Sequence, residues 1–131
     1  MIRKCEHIIS AKDGKRAIYI DSVNKKEIWA YINKDRRHQK KFKFITDLIL
    51  GGHKNSDLYD KEDINEKCKD VTAMKFFKGQ ENDRIYCKEI HSPTGTLIIV
   101  TSVLHERKKN TDLSAKEKSL IEKVGGYKYE I

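Results

Sequence analysis

The chain has 131 residues, enough for one domain with one modest core. Its 28 Lys plus Arg outnumber 20 Asp plus Glu, giving a net charge of +8, and this excess of positive charge favours a polyanionic or acidic partner. No apolar run approaches the ~18 residues of a membrane span. The opening residues lack an apolar signal core, and the three widely spaced cysteines form no Cys-x-x-Cys pair. A membrane protein, a disulfide scaffold and a zinc knuckle are therefore disfavoured, and a cytoplasmic chain with reduced thiols is expected.

In chain order, Asp13-Gly14 between apolar runs signals a β-hairpin within residues 4 to 21, with Arg16 to Asp21 its firmer strand. Residues 22 to 33 read as a helix with Ser22 as cap and Ile28, Tyr31 and Ile32 on one face. A second helix covers 36 to 50. Asp35 caps it, Phe42, Ile45, Leu48 and Ile49 make its apolar stripe, and Gly51-Gly52 stops it. The two form a helical hairpin.

Residues 53 to 70 are polar and net negative, and read as an acidic surface insertion with room for a short helix from Glu62 to Lys69. Three strands follow: Val71 to Phe77, Arg84 to His91, and Thr96 to Leu104. Pro93 lies in the turn between the last two. The unbroken apolar run of the third marks a central strand. Ser114 and Glu117 fit a capping box at the start of a last helix, which Gly125-Gly126 ends. The pattern predicts a single α+β domain over 1–131. A mainly antiparallel twisted sheet carries an N-terminal helical hairpin and a C-terminal helix.

Two clusters carry chemistry. Six of the ten residues from 34 to 43 are Lys or Arg. On a helix, Arg36/Lys40 and Arg37/Lys41 stand four apart and line one flank, a rail for a phosphate backbone. With Lys34, and with Lys109 further on, they are the candidate RNA-binding residues. A solvated helix face explains the same pattern equally well. The second cluster joins Arg84 and Tyr86, which alternate to one sheet face, with His105, Arg107 and Lys108 beyond the third strand. Arginine and lysine can stabilise a phosphorane, and His105 or Tyr86 can move a proton. A basic turn and a half-buried tyrosine are the plainer alternatives. His7, His38, His53 and His91 have no spacing suited to a metal site. There is no Gly-rich phosphate loop, serine elbow or HExxH motif, so no metal or cofactor is expected.

Three segments resemble the RelE/ParE toxin superfamily. Val71-Thr-Ala-Met-Lys-Phe-Phe is similar to the first strand after its helical hairpin. Asp83-Arg84-Ile85-Tyr86-Cys87 is similar to its Tyr-Arg-Val-x-Tyr strand. Val103 to Lys109 resembles its strand-to-basic-turn segment ending in Phe-x-Lys-Lys, with His105 where the aromatic often stands. The resemblance covers about residues 16 to 124. It implies a RelE-like fold and a toxin neutralised by an acidic antitoxin. It further implies a metal-independent endoribonuclease that cleaves mRNA on the ribosome, the 2′-hydroxyl beside the scissile phosphate being the nucleophile. Arg84, Tyr86, His105, Arg107 and Lys108 would be catalytic. A ParE-like, gyrase-binding toxin and a non-enzymatic RNA- or ribosome-binding module are the alternatives.

Overall fold

The computed structural model describes residues 2–62, 64–77, 81–106 and 115–131. Arg107, Lys108, Lys109 and Ser114 lie outside them. The chain opens with strands β1 (Ile2–Ser10) and β2 (Arg16–Asp21), then helices α1 (Lys25–Ile32) and α2 (Arg36–Leu50). Strand β3 (Tyr59–Lys61) and a 3-10 turn at Glu66–Cys68 lead to β4 (Val71–Lys75), β5 (Arg84–His91) and β6 (Leu97–His105). Helix α3 (Ala115–Gly125) and strand β7 (Lys128–Glu130) close the chain.

One seven-stranded sheet runs in the order β3-β4-β5-β6-β2-β1-β7. Strand β6, with its apolar run, takes the centre. Alternation along the strands divides the core in two. Ile85, Cys87, Met74 and Leu104 face α1 and α2, where Ile28, Tyr31, Phe42, Ile45 and Phe76 complete the larger cluster. Val71, Ala73 and Tyr86 face the other way, onto Cys68, Ile121 and Val124 beneath α3. The molecule is thus a sheet with two helices on one face and one on the other. Each fully buried isoleucine, such as Ile85 or Ile99, contributes ~1.5–3 kcal/mol by leaving water.

The expected mainly antiparallel sheet with an N-terminal helical hairpin and a C-terminal helix is corrected by this topology. The sheet is mixed, because β2 runs parallel to β6 and β1 parallel to β7. A β-hairpin precedes the helices, and all three helices lie between strands in the sequence. The physical reason is a long-range pairing. Arg16 to Ile20 lies against Leu97 to Thr101, some eighty residues on. Strands β2 and β6 are apolar because helices or side chains cover both their faces, as a parallel pair requires. The α1–α2 pair belongs to the excursion between β2 and β3.

Local boundaries shift for identifiable reasons. Asp21 Oδ1 accepts the backbone N–H groups of Val23 and Asn24, at 2.8 and 2.9 Å, which holds 22–24 as a turn and delays α1 to Lys25. Ser22 therefore caps nothing. Asp35 does cap α2, accepting the backbone N–H of His38 at 2.9 Å, a bond of a kind that stabilises a helix by ~1 kcal/mol. Gly14, at φ 72°, makes the turn between β1 and β2. The polar stretch 53–70 is tied into the sheet. It supplies edge strand β3, and it buries Cys68 completely.

Two contacts lead to stability predictions. Gly125 lies against the 3-10 turn so closely that an added Cβ would stand 1.8 Å from the Lys67 carbonyl oxygen. Gly125→Ala must push backbone apart. A loss of ~2–3 kcal/mol, or about 10 °C in Tm, is expected. An unchanged thermal melt would show that α3 does not close on the turn in this way.

Buried Asp21 joins three strands. Arg3 Nε donates to it at 2.7 Å from β1, and the Tyr129 hydroxyl donates at 2.7 Å from β7. Burial pushes the Asp21 carboxyl up, but hydrogen bonds from Arg3, Tyr129 and the Asn24 backbone outweigh it and hold the carboxyl below its ordinary value. A carboxyl lowered by folding stabilises above its unfolded pKa of ~3.9, and that contribution is lost as pH falls through the folded value. Arg3→Met should cost ~3 kcal/mol at neutral pH by stranding a buried carboxylate. Urea melts in acid should show the difference from wild type shrinking as Asp21 protonates. A difference constant with pH would mean that Arg3 acts by packing alone.

Candidate nucleic-acid interface

The flank of α2 and the end of β4 enclose an open groove of about 650 Å³, lined by Arg36, Arg37, Lys40, Lys41, Phe44 and Phe77. The helix period puts the two i, i+4 cation pairs on this side, while Phe42, Ile45 and Ile49 turn into the core. Four of the six expected RNA-binding residues thus share one surface. Lys34 is exposed in the α1–α2 connection, and Lys109 lies outside the described residues. The Arg37 guanidinium carbon stands 3.5 Å above the centroid of the Phe77 ring, and Lys41 Nζ is 5.7 Å from it. Arg37 Nη1 also donates to Glu81 at 3.1 Å. Phe44 is 52% exposed, a large apolar ring standing among cations. Cations for phosphates and an aromatic face for a base are the two components of single-strand binding sites. Phe44 carried no signal in the sequence, because an aromatic on a helix is usually core.

At the same end of the sheet, β5 and β6 pair Arg84 with His105. Here the expected catalytic cluster takes a different shape. The Arg84 guanidinium forms an ion pair with Glu62. Tyr86 is 0% exposed, and its hydroxyl donates to Glu117 Oε2 at 2.7 Å. Burial, and then the Glu117 hydrogen bond and charge, raise the Tyr86 pKa far above its ordinary value, so the phenol keeps its proton. Of the three described residues of the cluster, His105 is the most exposed. It borders a hollow of about 210 Å³ with Lys116, Ser119, Leu120 and Lys123 of α3. Its Nε2 lies 3.5 Å from Oε1 of Glu117, which is 1% exposed. Arg107 and Lys108 follow in the sequence and lie outside the described residues.

No protein-family model, curated protein or solved structure matches the chain.

The sequence reading missed Glu117, Lys116 and Lys123. Glu117 has the spacing of a capping residue, yet it points inward. Only the packing of α3 on the strand face bearing Tyr86 reveals its partners. A buried carboxylate holding a tyrosine and an imidazole can orient the ring and stabilise its protonated form. On the opposite face of the sheet, His38, Glu81 and Asp83 bring a ring nitrogen and two carboxylate oxygens within 4.8 Å of one another. His38 and Asp83 are 45 positions apart, so a local spacing rule could not find this group. No helix among the described residues is long and apolar enough to cross a membrane.

Proposed function

We propose that this protein is a toxin-type endoribonuclease that cleaves mRNA, with α2 as its RNA rail and His105 as its proton-transferring residue. The observation that carries the reading is His105. It is a partly exposed imidazole lining one hollow with two lysines, backed by a buried glutamate that a buried tyrosine holds in place. That arrangement suits attack by a 2′-hydroxyl. His105 takes the hydroxyl proton as the O2′–phosphorus bond forms. Lys116 and Lys123 stabilise the added charge on the phosphorane. The phosphorus–O5′ bond then breaks, and the leaving oxygen takes a proton from an ammonium or from solvent, giving a 2′,3′-cyclic phosphate and a 5′-hydroxyl. The step needs no metal ion. Arg84 and Tyr86 position the site in this scheme, and Arg107 and Lys108 are further phosphate ligands.

The reading leans on these residues and not on the family resemblance, whose implied architecture the mixed sheet departs from. An acidic partner protein, an antitoxin, is the expected inhibitor, since covering the α2 groove would neutralise the surface that draws RNA. The α2 groove by itself also supports a second reading, a non-enzymatic RNA- or ribosome-binding module.

Incubating the protein with translating ribosomes and mapping mRNA ends separates the two. New ends bearing 2′,3′-cyclic phosphate support the nuclease. Salt-sensitive binding without new ends leaves the binding module.

A further inference from the structure

We propose that His38, Glu81 and Asp83 form a binding site for one first-row divalent transition-metal ion, with Asp35 orienting the histidine. The site lies on the α1–α2 face and is independent of the RNA reading.

His38 is in the first turn of α2 and is 2% exposed, its ring packed edge-on against Tyr31 and Phe77 at centroid distances of 4.8 and 4.9 Å. Nδ1 stands 2.6 Å from Asp35 Oδ1. A carboxylate oxygen at that distance is an acceptor, so in the neutral ring Nδ1 carries the proton. In the neutral ring Nε2 then presents a bare lone pair. This atom is buried and has no hydrogen-bond partner among the described residues. A buried polar atom without a partner is costly, and such atoms recur where a ligand or ion completes the site.

The turn after β4 supplies the other two donors. Phe76 N–H donates to the Asp83 carbonyl, and Asn82 N–H to the Phe77 carbonyl, with Asn82 at φ 58°. Glu81 and Asp83 therefore flank the turn two residues apart and send carboxylates to the same group. Asp83 is also held by the Tyr31 hydroxyl at 2.9 Å, and Glu81 by Arg37. Donors about 2.1 Å from a tetrahedral ion are about 3.4 Å apart, so side-chain rotation suffices to draw the 4.8 Å group together. Water can fill a fourth position at the half-buried Glu81 side.

The donor set decides the class of ion. One imidazole with two carboxylates suits Zn²⁺ and its neighbours, whereas Mg²⁺ and Ca²⁺ prefer oxygen donors throughout. A histidine whose other nitrogen donates to a carboxylate is the usual form of a metal-binding imidazole. Bound there, the ion would tie the β4–β5 turn to the start of α2.

The test uses the full chain stripped with a chelator. Titration with Zn²⁺ followed by calorimetry, and with Co²⁺ followed by visible absorption, should show one ion per chain. Tm should rise by several degrees, and Mg²⁺ at the same concentration should leave it unchanged. Glu81→Gln, at a half-exposed position, should weaken binding at least ~10-fold. Asp35→Asn keeps the helix cap but loses the anionic acceptor, and should weaken binding by ~10–100-fold. An absence of binding to wild type would overturn the proposal. Wild-type affinity in both variants would overturn it equally, since the ion would then be held elsewhere.

Discussion

Reversing two charges on α2, Arg36→Glu with Lys40→Glu, should lower affinity for single-stranded RNA by on the order of 10²-fold at low salt. Each phosphate contact removed from a single strand should also reduce the slope of log affinity against log salt by ~0.7. The two cations line the groove from successive turns of one flank, so they are expected to act on the same strand. The fold should not suffer. Like charges four apart destabilise a helix slightly, and a glutamate at the first helical position interacts well with the helix dipole. Phe44→Ala separates stacking from charge. Losing a stacked base costs ~1–3 kcal/mol and should not change the salt slope. Filter binding of a short oligonucleotide across a salt series measures both. If the double reversal binds as wild type does, the groove is a solvated helix face and RNA is held elsewhere.

The parts of this molecule that were readable in the sequence are those set by near neighbours. Asp35 caps α2 because its carboxylate reaches the amide three residues on, and Gly51-Gly52 ends the helix on schedule. Strand β5 begins and ends where its pattern places it. The cationic flank was legible too, because helical spacing alone aligns Arg36, Arg37, Lys40 and Lys41. What could not be read depends on distant pairings. Nothing near Arg16 announces that it will lie parallel to Leu97, yet that pairing makes the sheet mixed. The alternation of Arg84 and Tyr86 was clear, but which face α3 would cover was not. Covering it turned Tyr86 from a candidate proton carrier into the buried holder of Glu117. Glu62 explains Arg84 in the same way, from a stretch whose acidity suggested a solvated insertion. A local pattern records which side a residue faces, while the partner found there belongs to the tertiary fold.

His105→Gln should lower single-turnover cleavage of ribosome-bound mRNA by ~10²-fold or more, which is what removal of a general base costs. Glutamine keeps polarity and much of the ring's size but cannot accept and release a proton near neutral pH. Glu117→Gln tests the support beneath it. The amide still meets the Tyr86 hydroxyl, so the packing of α3 should survive, but no carboxylate remains to hold the imidazole. Its rate should fall by ~10-fold, because the ring loses the carboxylate that orients it. A merely structural role for Glu117 would lower Tm and leave the rate per folded molecule unchanged. Lys123→Ala should reduce the rate with little change in RNA affinity, since the charge it meets develops only as phosphorus becomes pentacoordinate. Equal rates in wild type and all three variants would show that the imidazole lining one hollow with these lysines does no chemistry, and the binding reading of the α2 groove would then stand alone.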